Sequence, residues 1–174
     1  MNENHASNII LIGMPGCGKS TCGVLAAKYL LKNFYDTDLL LQNREGMRLQ
    51  DIINTKGCDY FEAAEEQAIL SLDIFGTVIA TGGSVVYSEK AMRHLKTLGK
   101  VIYLQISFET MCSRIDNLSV RGVVLKNGST LADMYDERRV LYERWADDII
   151  VCDGNTTSQT AEAIVQSART EKKA

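Results

Sequence analysis

At 174 residues, with 45% hydrophobic and 24% charged content, the chain has the length and composition of one soluble globular domain, expected to span 1–174. Its net charge of -3 argues against a general nucleic-acid surface. No apolar run approaches the length of a membrane span, and the polar start, Met1 to Asn8, lacks the layout of a signal peptide, so a cytoplasmic protein with neither nucleic-acid nor membrane partner is expected.

The first predicted strand, Asn8–Ile12, runs into Gly-Met-Pro-Gly-Cys-Gly-Lys-Ser at Gly13 to Ser20, which fits the phosphate-binding pattern G-x-x-x-x-G-K-[ST]. A helix with apolar periodicity, Lys19–Leu31, follows. A loop in that place turns backbone N–H groups toward an anion at a helix N-terminus, which points to a nucleoside triphosphate. Gly13, Gly16 and Gly18 allow the backbone path, Lys19 reaches the β- and γ-phosphates, and the Ser20 hydroxyl can ligate Mg²⁺. Cys17 fills a variable position of the loop and is given no redox role, and Thr21 carries the chain on into the helix.

Further apolar runs at Asn33–Tyr35, Thr77–Ala80, Val101–Leu104 and Asp148–Val151 alternate with predicted helices at Leu39–Asn43, Leu49–Thr55, Phe61–Leu72, Ser88–Leu98, Phe108–Asp116, Leu131–Ala146 and Thr160–Ala168. Such alternation predicts an α/β fold, a parallel sheet between helical layers, with ligands at the carboxyl ends of the strands. Asp36 and Asp38 follow the second strand, where a carboxylate near a P-loop can hold Mg²⁺, although Asp-x-Asp alone reads as a helix cap with a turn residue. Thr81-Gly82-Gly83-Ser84 follows the third strand, and its paired glycines let backbone amides close on a polar substrate. Asn117 to Ser129 lacks periodicity and reads as a lid loop. Cys17, Cys22, Cys58, Cys112 and Cys152 are odd in number and scattered, so neither a disulfide framework nor a zinc site is expected, and His5 and His94 read as surface residues.

Together, Gly13 to Thr21, Phe34-Tyr-Asp-Thr-Asp38, Val78-Ile-Ala-Thr-Gly-Gly83, Gly99-Lys-Val-Ile-Tyr-Leu104 and Arg138-Arg-Val-Leu-Tyr142 resemble the shikimate kinase family, over nearly the whole chain. The resemblance implies a three-layer α/β/α P-loop kinase with a five-stranded parallel sheet and a lid, moving the γ-phosphoryl group of ATP to a hydroxyl of shikimate. It assigns Lys19 and the loop amides to the phosphates, Ser20 and Asp36 to Mg²⁺, Asp38 to the acceptor hydroxyl, Arg121 to the lid and Arg114 to the adenine side. Arg138 would contact the substrate carboxylate, and Gly82 and Gly83 would line the substrate pocket. The expected partner is a small hydroxylated substrate, bound by a monomer. For Arg138 a surface salt bridge is the bland alternative.

Three departures fall on the substrate side. The family's Phe-Arg pair, whose arginine is the second arm of the carboxylate clamp, is here Phe61-Glu62, a charge reversal that would repel a carboxylate. A one-turn shift of the helix would bring Glu65 or Glu66 there instead. The lid reads Arg121-Gly-Val-Val-Leu in place of Arg-Pro-Leu-Leu, and the glycine triplet has become Gly82-Gly83-Ser84. Three readings follow: a shikimate kinase in which Arg138 and another cation such as Lys126 hold the carboxylate, a kinase of the same fold for a neutral or amine-bearing hydroxylated metabolite, and an ATP-binding module without turnover.

Overall fold

The computed structural model describes residues 7–115 and 128–170. Arg121, Lys126 and most of the expected lid therefore lie outside the described residues. The chain starts with β1 (Asn8–Ile12), buried over its whole length, then α1 (Lys19–Leu30), β2 (Asn33–Asp36), α2 (Thr37–Glu45), α3 (Leu49–Lys56) and α4 (Cys58–Leu70). After β3 (Thr77–Ala80) come a 3₁₀ turn at Val85–Tyr87, α5 (Glu89–Leu98), β4 (Gly99–Gln105), α6 (Phe108–Ile115), α7 (Leu131–Trp145), β5 (Asp148–Val151) and α8 (Thr157–Arg169).

All five strands are parallel in the order β2-β3-β1-β4-β5. Parallel strands require crossovers, and right-handed ones put α1 on one face of the sheet and α5 on the other. Both faces are thus covered, and β1, β3 and β4 are apolar and buried almost throughout. The one polar residue of β1, Asn8, is fully buried because its amide donates to the Ile74 and Leu98 carbonyls, while its Oδ1 accepts from Thr77 N–H. A second, smaller core of Leu41, Leu49, Ile52 and Phe61 ties α2, α3 and α4 together.

The register brings three loops to one edge. Leu11 lies opposite Ala80, and Asp36 also pairs with Ala80, so β1, β2 and β3 all end at one level. Gly13, Asp38 and Gly82 leave the sheet side by side. Four of the predicted strands lie within a residue of the observed ones, but β4 starts at Gly99, two residues early. Helix α2 begins at Thr37 because the Asp36 carboxylate accepts from Asp38 N–H as its N-cap. Helix α4 begins at Cys58 because a single residue, Gly57 at φ 86°, suffices to separate it from α3. No helix among the described residues is long and apolar enough to cross a membrane.

Candidate active site

The phosphate loop runs from the end of β1 into α1. Gly13, Gly16 and Gly18 take φ of 146°, 78° and 97°, which side chains rarely tolerate, and a Cβ at Gly13 would stand 2.6 Å from the Leu104 carbonyl oxygen. Gly18 is the N-cap of α1 and offers no side-chain acceptor, so the first amides of the helix remain open to an anion. The Lys19 ammonium is buried and donates to the Gly13 and Met14 carbonyls at 2.7 and 2.9 Å, folded over the loop it belongs to. Ser20 Oγ donates to Asp36 Oδ2 at 2.7 Å, and Asp36 Oδ1 accepts from Asp38 N–H at 2.9 Å. One carboxylate therefore both caps α2 and reaches the loop serine. Hydroxyl and carboxylate oxygens this close suit a hard cation such as Mg²⁺, which takes few protein ligands when phosphates and water supply the rest.

Across from Lys19 and Ser20, the same pocket is closed by Asp38, Phe61, Glu65 and the Gly82-Gly83-Ser84 turn. Thr81 anchors this turn to the Leu11 carbonyl, the Gly82 amide donates to Thr37 Oγ1, and Tyr142 Oη donates to the Gly83 carbonyl at 2.7 Å. A side chain at Gly82 would push its neighbours aside: a Cβ there would overlap Glu65 Oε1 and approach Asp38 Oδ1 to 2.9 Å. Arg138 of α7 is 1% exposed, is bonded to Tyr87 Oη at 3.3 Å, and puts Nη1 3.1 Å from where a Gly83 Cβ would stand. Arg138 is thus no surface salt-bridge residue; it is a buried cation behind the turn.

Helix phase decides which glutamate enters. Phe61 is buried, and Glu65, four residues on, shares its face, whereas Glu62 is turned away by about 100°. Glu65 lines the P-loop pocket; Glu62 is half-buried in an adjoining cavity of about 340 Å³ with Asp59, Glu66 and Tyr87. Glu65 and Ser84 form the wall between the two. Burial, with the Asp38 and Glu62 charges, pushes the Glu65 carboxyl up to about 7 against the pull of the Ser84 hydrogen bond and Arg138. Its Oε2 accepts from Ser84 Oγ at 2.7 Å, and its Oε1 has no partner. Such an orphan costs roughly 1–3 kcal/mol unless a bound group satisfies it.

On the far side of the loop, Arg114 at the end of α6 donates to the Gly16 carbonyl at 3.0 Å. With Thr21, Cys22, Asn155 and Thr160 it lines a cavity of about 230 Å³ beside the phosphate loop. Asn155 and Thr160 were not anticipated. The available signal was the capping box of Thr156 and Gln159 directly after β5, which starts a helix at the ligand edge of the sheet.

A family model described as "Shikimate kinase" matches residues 15–169. The chain belongs to the shikimate kinase family. It is 34% identical over 159 residues to the shikimate kinase of Sulfurihydrogenibium sp., covering 91% of this chain and 95% of that protein. The shikimate kinase of Acinetobacter baumannii, solved in complex with shikimate, superposes with a TM-score of 0.86 at 26% identity, covering 95% of this chain and 96% of that one. The shikimate kinase of Aquifex aeolicus superposes at 0.78 with 30% identity, covering 92% and 95%. Membership makes the chain a small-molecule kinase, a phosphotransferase acting on a hydroxyl group, with the five-stranded α/β fold of those structures. The pocket that Lys19 lines is also lined by Asp38.

Proposed function

We propose that this protein transfers the γ-phosphoryl group of ATP to a hydroxyl of shikimate, giving shikimate 3-phosphate, and that the whole of 1–174 serves as one kinase domain. The observation that carries this is the single pocket shared by Lys19 and Ser20 of the phosphate loop with Asp38, Gly82 and Gly83. The resemblance to shikimate kinases, one of them solved with shikimate bound, supports the acceptor.

Phosphoryl transfer needs positioning and charge neutralisation more than covalent chemistry. The loop amides and Lys19 hold the phosphates, Lys19 exchanging the Gly13 and Met14 carbonyls for phosphate oxygens. Ser20 and Asp36 would hold Mg²⁺, which supplies further neutralisation of phosphate charge when bound. Asp38 orients the acceptor hydroxyl and takes its proton as the new P–O bond forms. Arg138 faces the acceptor's carboxylate, Gly82 and Gly83 let it approach the backbone, and Arg114 flanks the nucleotide. Arg121, outside the described residues, is assigned to the transferring phosphoryl group. Five free thiols and the demand for ATP fit a cytoplasmic protein.

The test is ADP formation from ATP and Mg²⁺ with shikimate, read together with the mass of the product. Stoichiometric ADP and phosphorylated shikimate are expected. ADP appearing with free phosphate, and shikimate unchanged, would overturn the assignment.

A further inference from the structure

Glu65 is 5% exposed, and its Oε1 is buried without a hydrogen-bond partner. Glu65 lines the pocket of Lys19 and Ser20, and the point where a Gly82 Cβ would stand lies against its Oε1 and 2.9 Å from Asp38 Oδ1. Two carboxylate oxygens thus address one small volume beside the reacting site. Behind Glu65, the cavity of about 340 Å³ adds Asp59, Glu62 and Glu66, with no lysine or arginine among the described residues of its lining. Lys90 approaches Glu66 from outside at 3.8 Å, and Arg138 stands across the turn behind Gly83.

A group bound here must donate to Glu65 Oε1, and it gains if it is positive. A hydroxyl meets the first demand only. A protonated amine meets both, since it carries three donors and a compact charge. Arg138 remains on the other side for a carboxylate.

We propose that this pocket also phosphorylates an ammonium-bearing acceptor, a hydroxylated carboxylic acid whose protonated amine sits on the carbon next to the reacting hydroxyl and is received by Glu65. This presupposes that Asp38 and the phosphate loop transfer phosphoryl groups to a hydroxyl acid, as set out above. In the step, the bond from the γ-phosphorus to the β–γ bridging oxygen breaks, a bond from phosphorus to the acceptor hydroxyl oxygen forms, the hydroxyl proton passes to Asp38, and ADP leaves. The ammonium stays protonated on Glu65; with its lone pair occupied it cannot compete as nucleophile.

The probe is the 4-amino-4-deoxy analogue of shikimate, compared with shikimate by ADP formation and product mass in the wild type, Glu65→Gln and Glu62→Gln. In the wild type, kcat/KM for the analogue should at least equal that for shikimate. The ratio of the two should fall at least tenfold in Glu65→Gln, which keeps the Ser84 contact but loses the charge, and at least threefold in Glu62→Gln. Phosphorylation of shikimate but not of the analogue, or a ratio unchanged in both variants, would overturn the proposal and leave the shikimate assignment standing. Phosphorylation of the analogue alone would uphold the ammonium site and overturn shikimate as acceptor. If neither is phosphorylated, both fall.

Discussion

Ser84 Oγ donates to Glu65 Oε2 at 2.7 Å, while Glu65 Oε1 is left unbonded beside Asp38 and Gly82. The carboxyl is thereby fixed in the pocket of Lys19 and Asp38 with only half of its capacity used, and burial holds it near pH 7 instead of the ordinary 4.5. A carboxyl raised on folding keeps its proton longer in the folded chain than in the unfolded one. Its contribution to stability is fully present below pH 4.5 and is lost as pH rises through about 7. Glu65→Gln removes that loss, so the variant should gain on the wild type between pH 5 and 8.5, by up to about 3 kcal/mol from the size of the shift. Thermal unfolding of both proteins at the two pH values checks this; a constant difference in Tm would contradict it.

Gly82→Ala isolates the acceptor side. The added methyl group overlaps Glu65 Oε1 and crowds Asp38 Oδ1, whereas the phosphate loop is untouched. The kcat/KM for shikimate should fall at least tenfold, about 1.4 kcal/mol, with the KM for ATP nearly unchanged. Steady-state kinetics in both substrates separates the two effects.

Asp36 and Asp38 should divide their labour. Asp36 reaches Ser20 and caps α2, and asparagine preserves the cap, so Asp36→Asn should lose activity that added Mg²⁺ partly restores. Asp38→Asn should lose activity without such rescue. Mg²⁺ titrations giving the same response in both variants would contradict the division.

Lys19→Ala removes the buried ammonium now held on the Gly13 and Met14 carbonyls. Its kcat should drop by at least about a hundredfold, the order for deleting a group that stabilises transition-state charge. Near-normal kcat would mean that the phosphate loop does not bind the transferring group.

Much of this was legible in the chain because the signals were local. Asn8 to Ser20 carries its strand, loop and helix in one stretch, and the alternation of apolar runs with helices implies the parallel sheet. Positions that depend on three-dimensional phase were harder. Reading Phe61-Glu62 as adjacent letters put Glu62 in the substrate pocket, but one residue along a helix is a turn of about 100°, and Glu65, at i+4, shares the buried face of Phe61. The short Gly57 break between α3 and α4 and the Asp36 cap of α2 each moved a helix start by two or three residues. For Arg138 the sequence leaves a surface salt bridge open beside the substrate contact; the packing of α7 against the Val85–Tyr87 turn buries it.

In the proposed reaction, Asp38 serves a hydroxyl acceptor in the pocket it shares with Lys19. The most direct test is single-turnover transfer of labelled γ-phosphate from ATP to shikimate, measured side by side in the wild type and Asp38→Asn. Label should pass to shikimate in the wild type and at least about a hundredfold more slowly in the variant, the lower order for loss of a general base. Equal rates in the two proteins, or label released to water by both, would contradict it.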